Sequence, residues 1–248
     1  METKKILILI PARYDSTRFP GKPLAKILGK PMIQWVYERA IRSFDPSIKV
    51  IACVVTDSDK VKSVVDGVGG KVCIVNDHTE SGTERIAFAL ERFFKNDHFD
   101  LVINVQGDEP LIESEIIEDL ANFHLKSNFD IATVVRKEKD IGQEPNTVKA
   151  IYCPSNGQCL YFSRSEVPFD RNNLRQNFYA HVGIYSFRPS ALKAFCTFPI
   201  GNYEKIESLE QLRALENGLT IGAIEVNVCL QGVDTPSDIS KVEEKLNE

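Results

Sequence analysis

The sequence predicts an α/β fold with a mostly parallel central sheet covered by helices. Two observations predict it. Apolar strand-like runs alternate with amphipathic helix-like runs through the first half of the 248 residues, and this alternation favours parallel strand pairing. In the second half, strand-like runs follow one another with short connections, which indicates an added antiparallel subregion.

The first half alternates regularly between the two kinds of element. The run ILILI after Lys5 is apolar throughout, as is typical of a strand buried on both faces. Pro31 suits the first turn of a helix, and Gly69 and Gly70 suit the end of another. The predicted strands span 5–11, 49–57, 71–75 and 100–110, and the predicted helices span 31–43, 58–70, 83–94 and 114–125.

The second half breaks this rhythm. Its predicted strands span 130–136, 148–153, 159–164 and 181–187. A long amphipathic helix is predicted over 202–218, ending at Gly218, and a last helix over 235–248. No Gly/Ser-rich or Pro-rich linker divides the chain. We therefore predict a single domain over 1–248, with the antiparallel subregion roughly within 130–190.

Composition excludes several classes of function. The net charge of -5 does not favour nucleic acid as a partner. No apolar run approaches the length of a membrane span, and ILILI is too short for a signal peptide. The six cysteines form no CxxC pair, which predicts buried, reduced thiols and a cytoplasmic protein.

Three cations lie on one Pro/Gly-rich loop after the first strand: Arg13, Arg18 and Lys22. In open parallel sheets, ligands bind outside the carboxyl ends of the strands, and this loop begins there. Cationic side chains and backbone N–H groups together can surround a triphosphate. The loop is not a Walker loop, because the pattern GxxxxGK[ST] is absent. The alternative is a solvated basic loop.

Two aspartates are candidate metal ligands. Asp108 follows a buried strand, at the edge where the same ligand crevice is expected. Mg²⁺ typically uses one or two carboxylates together with substrate phosphates. Asp234 precedes the last helix, where the alternative is a residue near the helix N-cap. For Asp108 the alternative is a turn residue.

Two further groups of polar residues stand out. The segment SGTER, with Ser81, Gly82 and Arg85, opens a helix whose amides could accept an anion or a base edge, although a plain helix start is the alternative. In the second half, cationic and neutral hydrogen-bonding side chains suit a small, hydroxyl-rich acid. His181 and Tyr185 are evenly spaced and share a strand face. A structural histidine, and a simple Glu210–Arg213 pair on one helix, are the alternatives there.

These motifs together resemble the 3-deoxy-manno-octulosonate (Kdo) cytidylyltransferase family, also called CMP-Kdo synthetases. The resemblance covers nearly the whole chain, through IPARYDSTRFPGKPL, SGTER, NVQGDEP, YFSRSEVPFDR, HVGIY, LEQLRALE and GVDTPSDI. It implies a Rossmann-like nucleotidyltransferase fold, an antiparallel element used in a homodimer, and Mg²⁺. The implied reaction joins CTP and Kdo to give CMP-Kdo and pyrophosphate, for lipopolysaccharide synthesis.

The resemblance also implies residue roles. Arg13, Lys22 and Asp108 would be catalytic, and Asp108 and Asp234 would hold the metal. The nucleotide would be bound by Pro11, Ala12, Arg13, Arg18, Lys22, Ser81, Gly82, Arg85 and Gln106. The sugar acid would be bound by Arg164, His181, Tyr185, Glu210 and Gln211.

Three alternatives stay open at this point. The 8-amino analogue of Kdo is handled by a variant of the family. Another nucleotidyltransferase would share the first loop and differ at YFSR and HVGIY. An inactive nucleotide-sensing protein on the same fold is the third, and the presence of Lys22, Asp108 and Asp234 argues against it.

Overall fold

The computed structural model describes residues 3–15, 19–42, 44–77, 79, 81–228 and 230–247. Its strands are β1 Lys4–Ala12, β2 Lys26–Ile27, β3 Lys30–Pro31, β4 Ile48–Thr56, β5 Lys71–Ile74, β6 Leu101–Asn104, β7 Ile131–Glu138, β8 Lys149–Cys153, β9 Gln158–Ser163, β10 Phe178–Phe187 and β11 Ile221–Val226. Its helices are α1 Met32–Ala40, α2 Asp59–Gly67, α3 Gly82–Phe93, α4 Ser114–Lys126, α5 Pro189–Thr197, α6 Asn202–Glu207, α7 Gln211–Glu216 and α8 Pro236–Leu246. A 3-10 turn spans Lys22–Leu24.

The chain forms two compact units, and the boundary falls within α4. The first contains residues 1–118 and 229–248, and the second contains residues 119–228. The prediction of a single domain over 1–248 stays a prediction.

The first unit is built on four parallel strands in the order β5-β4-β1-β6. The predicted parallel pairing is confirmed for this unit. Residues 6–10 of β1 are fully buried, as expected for a strand whose two faces are both covered. Because β4 and β6 pair with opposite edges of β1, the chain order reverses at β1. A crevice is expected outside the carboxyl ends of β1 and β6 at such a point.

Helix α8 completes the first unit through a small apolar cluster. Val233, just before the helix, and Val242 within it are fully buried against Ile27, Met32 and Leu111. This packing brings the segment around 232–235, from the end of the chain, to the N-terminal loops that follow β1.

The second unit contains the predicted antiparallel strands, but its pairing is mixed. β10 pairs antiparallel with β7 and β8, and β9 pairs antiparallel with β8 and β11. β11 runs parallel to β7. Neither β11 nor α5 was predicted from the sequence, although Pro189 lies in the first turn of α5. The start signal for α5 was therefore present in the sequence.

The predicted long helix over 202–218 is wrong. It is two short helices, α6 and α7, separated at Ser208, whose backbone is left-handed with φ 51°. The carbonyls of Glu207 and Ser208 accept hydrogen bonds from the Arg164 guanidinium. Those tertiary bonds replace the bonds that a continuous helix would make there, and the sequence periodicity does not register them.

All five cysteines that the structure describes are free thiols. The prediction of burial is confirmed for Cys53, Cys73 and Cys159, whereas Cys153 and Cys196 are partly exposed. Within the same described ranges, no helix is both long and apolar enough to cross a bilayer.

Candidate active site

The ends of β1 and β6 approach each other closely in the first unit. A side chain at Gly107 would lie 2.6 Å from the Pro11 carbonyl oxygen, so only glycine fits there. A Cβ at Gly82 would lie 3.3 Å from Pro11 and 3.7 Å from the Gln106 side-chain oxygen. The structure thus brings together three predicted nucleotide contacts, Pro11, Gly82 and Gln106, beside Ala12 at the end of β1.

A tight turn presents Lys22. Gly21 has a left-handed backbone with φ 72°, which glycine adopts without steric cost, and its N–H donates to the Tyr14 carbonyl at 2.9 Å. Lys22 then begins the 3-10 turn, which Pro23 stiffens. Arg18 of the same loop lies outside the described residues.

Lys22 lies between two carboxylates and a carbonyl. Its Nζ donates to Asp108 Oδ2 at 2.5 Å and to the Val233 carbonyl at 3.0 Å, and lies 3.7 Å from Asp234 Oδ1. The Val233 N–H in turn donates to the Asp108 carbonyl at 2.9 Å. Residues far apart in sequence therefore surround one cation-binding position.

Asp234 is not the N-cap of α8. That position belongs to Thr235, whose hydroxyl forms a capping box with Asp238. The Asp234 side chain is 59% exposed and lies near Lys22 instead. Asp234 therefore lies directly before the N-cap, as that alternative expected, and metal binding by Asp234 stays a prediction.

Two other cations of the predicted nucleotide site, Arg13 and Arg85, contact neighbouring polar groups. Arg13 Nη2 donates to Thr79 Oγ1 at 2.9 Å. Buried Arg85 donates to the Val75 carbonyl at 2.8 Å and pairs with Asp57 at 3.3 Å. Burial lowers the pKa of the Arg85 guanidinium, with the Asp57 charge opposing and the Arg13 charge adding to that shift. Arg85 is therefore a packed residue of α3.

Asp57 and Ser81 have structural partners of their own. Asp57, just past β4, also accepts from the Tyr14 N–H at 3.0 Å, so it fixes the loop that follows β1. This role of Asp57 was not predicted, although an aspartate directly after a strand is the same signal that identified Asp108. Ser81 is the N-cap of α3 and accepts from the Glu84 N–H at 3.1 Å, so a helix starts at this segment. Nucleotide binding by the segment stays a prediction.

The second unit contains the predicted sugar-binding residues, and His181 can be assigned a tautomer. The Thr133 hydroxyl donates to the Ile184 carbonyl at 2.7 Å, so it must accept from His181 Nε2 at 3.0 Å. His181 Nδ1 then carries a lone pair and is a hydrogen-bond acceptor. Desolvation lowers the pKa of His181 to about 3, so the ring is neutral at physiological pH.

Tyr185 lies beside His181 on β10, with ring centroids 5.4 Å apart, so the shared-face prediction is confirmed. Burial raises the pKa of the Tyr185 phenol, and the negative charge of Glu210 raises it further. Gln211, the first residue of α7, is 6% exposed. Its Nε2 has no partner within the part of the chain that the structure describes.

Arg164 makes contacts that the sequence did not indicate. Its guanidinium donates to three backbone carbonyls, those of Glu207 at 2.7 Å, Pro145 at 3.0 Å and Ser208 at 3.4 Å. Arg213, the other cation of the LEQLR segment, forms a two-bond ion pair with Glu204.

No group of three potential metal-ligating side chains occurs among the described residues. Asp108 and Asp234 are two carboxylates around one cation-binding position, now facing the Lys22 ammonium. A donor set of two carboxylates fits Mg²⁺, which takes its remaining ligands from water and substrate phosphates.

Comparisons with known proteins show the family. A family model described as Cytidylyltransferase matches residues 7–221. The chain is 42% identical to a 3-deoxy-manno-octulosonate cytidylyltransferase of Thermodesulfovibrio yellowstonii, over 97% of this chain and 98% of that protein. It is 44% identical to an 8-amino-3,8-dideoxy-manno-octulosonate cytidylyltransferase of Shewanella pealeana, with the same coverage.

A solved structure is also similar over nearly the full length. It is CMP:2-keto-3-deoxy-manno-octonic acid synthetase complexed with CTP, with 39% identity and a TM-score of 0.89 over 98% of this chain and 99% of that one. The resemblance predicted from the motifs is confirmed, and the chain belongs to the cytidylyltransferase family.

Proposed function

We propose that this chain transfers CMP from CTP to Kdo, giving CMP-Kdo and pyrophosphate. The observation that carries the proposal is the convergence of Lys22, Asp108 and Asp234 on one cation-binding position beyond the parallel strands. It occurs in a chain similar along its length to a synthetase complexed with CTP. Charged groups of this kind suit a triphosphate and a divalent metal.

The chemistry is a displacement at the α-phosphorus of CTP. The anomeric hydroxyl oxygen at C2 of the sugar forms the new bond to phosphorus, its proton is lost, and the bond to the pyrophosphate oxygen breaks. Little covalent work falls on the protein, so positioning and charge neutralisation dominate. In this proposal Arg13 and Lys22 stabilise the charge that grows on the leaving pyrophosphate.

Asp108 and Asp234 would hold Mg²⁺. The metal, when bound, neutralises phosphate charge and acidifies the attacking hydroxyl. A metal held there would compete with the Lys22 ammonium for Asp108, which now accepts a hydrogen bond from it. This proposal assigns the Lys22 ammonium to the triphosphate.

The second unit supplies neutral hydrogen-bonding groups. His181 Nδ1 accepts from a sugar hydroxyl, the Tyr185 phenol stays protonated and donates, and the unpartnered Gln211 Nε2 donates to a sugar oxygen. These roles require no protonation change near neutral pH.

The remaining assignments belong to the same proposal and rest on the family resemblance. Ala12, Pro11, Ser81, Gly82 and Gln106 contribute to nucleotide binding, and a Rossmann-like fold with a mostly parallel sheet positions them. The parallel pairings of the first unit support that description. A homodimer, a cytoplasmic location and a role in lipopolysaccharide synthesis stay predictions.

A second candidate substrate is the 8-amino analogue of Kdo. It is favoured by relatives named for that sugar, which are 44% identical to this chain. An amino group at C8 is cationic and would require a carboxylate partner. Glu210 is the carboxylate of the predicted sugar-binding group and is the residue to test for that contact.

Pyrophosphate release from CTP and Mg²⁺ tests the proposal. We expect release only when a sugar acid is added, with a higher kcat/KM for Kdo than for the 8-amino analogue. If kcat/KM is higher for the 8-amino analogue, the analogue and not Kdo is the substrate. CTP binding without release in the presence of either sugar would favour a nucleotide-sensing protein.

A further inference from the structure

Lys149 is an unusual residue of the second unit because its charge is buried. The side chain, on β8, is fully inaccessible. Its Nζ donates to the carbonyls of Glu144 and Thr147, each at 2.9 Å, and to the carbonyl of Arg164. An ammonium has three N–H donors, so these three carbonyls satisfy it.

Burying this ammonium is costly, because a charged group loses its hydration. Desolvation lowers the pKa of Lys149, and the Glu144 and Glu207 charges oppose that shift. The three carbonyls come from two segments, the loop before β8 and the residue after β9. The lysine therefore fixes the backbone of Arg164 against the loop at 144–147.

Arg164 extends this connection to the corner between α6 and α7. Its Nε donates to the Glu207 carbonyl at 2.7 Å, and its Nη1 donates to the Pro145 carbonyl at 3.0 Å. The Glu207 carboxylate also binds this segment. It accepts from the Arg164 N–H at 2.9 Å and from the Ser163 hydroxyl at 2.6 Å. Arg164 and Glu207 thus hold each other through both backbone and side chain.

The corner held in this way leads directly into the predicted sugar-binding residues. Ser208 has a left-handed backbone, and the Leu209 N–H donates to the Glu204 carbonyl at 3.3 Å. Glu210 and Gln211 come next and begin α7. A change in the backbone conformation between α6 and α7 would displace both side chains together.

We propose that Lys149 is a positioning residue for the sugar acid, acting through Arg164 and Glu207 on the α6–α7 corner. Arg164 acts in this proposal through its bonds to backbone carbonyls, and the direct sugar contact that the resemblance implies stays a prediction. The identity of the ligand rests on the proposed function, whereas the coupling of Lys149 to the corner does not.

The variant Lys149→Met removes the charge and keeps most of the stem. We expect the KM for Kdo to rise at least about tenfold, with the KM for CTP within about twofold of wild type. Hydrogen exchange should become faster in peptides spanning 205–213. The matched control is Lys137→Met on β7, a 46% exposed lysine paired with Glu225, which should change neither measurement.

A second variant covers the case in which Lys149→Met does not fold. Glu207→Gln keeps the shape of the side chain and weakens its bonds to Ser163 and Arg164. It should raise the KM for Kdo selectively and speed exchange in the same peptides. In the double variant the two effects should be less than additive, since both act through one corner.

Three results would overturn the proposal: unchanged exchange at 205–213, equal increases in both KM values, or a loss of thermal stability with both KM values unchanged. A wild-type enzyme that does not use Kdo would refute the proposed function instead. The exchange measurement would still decide whether Lys149 controls the corner.

Discussion

In the first unit, Lys22, Asp108 and Asp234 keep their ionic groups close together in a partly exposed cluster. In the second unit, His181 and Tyr185 are neutral at physiological pH, and desolvation shifts the pKa of each further towards the neutral form. A cluster of opposite charges can exchange partners when a polyanion and a metal arrive. Neutral side chains recognise hydroxyl groups through the direction of their hydrogen bonds, and simple ions do not compete for those bonds. The two clusters are therefore expected to respond differently to mutation, salt and pH.

The largest expected effect is at Asp108. Asp108→Asn is nearly isosteric and removes a hard anionic ligand, so activity should fall by at least about a hundredfold. Steady-state rates of pyrophosphate release measure it. Asp66→Asn is the control, since Asp66 forms an exposed ion pair with Lys62 on α2. Activity of Asp108→Asn within about threefold of wild type would remove Asp108 from the catalytic group.

Lys22 should act in the transition state as well as in binding. Lys22→Met keeps the stem and removes the charge, so kcat should fall by about tenfold or more and the KM for CTP should rise. Lys22→Arg should recover only part of the rate, because its planar fork differs from a compact ammonium. Unchanged kinetic constants in Lys22→Met would indicate a surface lysine.

The same variant tests whether lysine and metal compete. Removing the ammonium from between Asp108 and Asp234 should tighten Mg²⁺ binding in the absence of nucleotide. Calorimetric titration of the metal alone measures this without any catalytic assay. Weaker or unchanged metal affinity in Lys22→Met would place the metal elsewhere.

A smaller, more selective effect is expected at Gln211 in the neutral cluster. Its Nε2 is buried without a partner among the described residues, so Gln211→Met removes an unsatisfied donor while keeping the shape. The free energy of unfolding, measured by thermal denaturation, should be unchanged or higher by at most about 1 kcal/mol. The KM for Kdo should rise by up to about tenfold. A marked loss of stability would indicate a structural amide.

At neutral pH the smallest expected effect is that of His124 in the second unit, which changes stability only in acid. His124 is fully buried, with Nε2 donating to the Phe129 carbonyl and Nδ1 accepting from Ser186. Desolvation lowers its pKa to about 4; the Phe129 bond and the Asp130 charge oppose this shift, and Arg188 adds to it.

An unfolded histidine titrates near pH 6.5. Above that pH neither state binds a proton, so His124 has no effect. Between about 6.5 and 4 only the unfolded state does, so the free energy of unfolding should fall as pH falls, by at most about 1.4 kcal/mol per pH unit. Urea unfolding should show a shallower dependence for His124→Asn than for wild type. If His124→Asn and wild type show the same pH dependence of the free energy of unfolding, the lowered pKa of His124 is contradicted.

Most of the charged cluster was predictable from the sequence, because Lys22 and Asp108 follow strand ends. Asp108 and the Arg13–Lys22 loop each leave a buried parallel strand, and such exits converge at one edge of a sheet. The bond from Lys22 to Asp108 was not predictable, because it depends on the 3-10 turn and on the packing of Val233. Nor was the burial of Arg85, since helical spacing alone did not distinguish it from an exposed cation.

The support of the neutral cluster was less predictable. Helical periodicity continues through Ser208, so nothing local marks the break between α6 and α7. Tertiary bonds from Arg164 to backbone carbonyls produce that break, and a backbone carbonyl leaves no signature in the sequence. The sequence pattern likewise does not distinguish Lys149 from an ordinary strand lysine, because its three carbonyl partners are tertiary contacts.

The division of labour between the clusters is tested most directly by comparing Lys22→Met with Tyr185→Phe, each titrated calorimetrically with CTP and assayed for its KM for Kdo. Lys22→Met should weaken CTP binding and leave the KM for Kdo nearly unchanged. Tyr185→Phe should raise the KM for Kdo and leave CTP affinity nearly unchanged. If either variant impairs the use of both substrates equally, the assignment of one cluster to each substrate is contradicted.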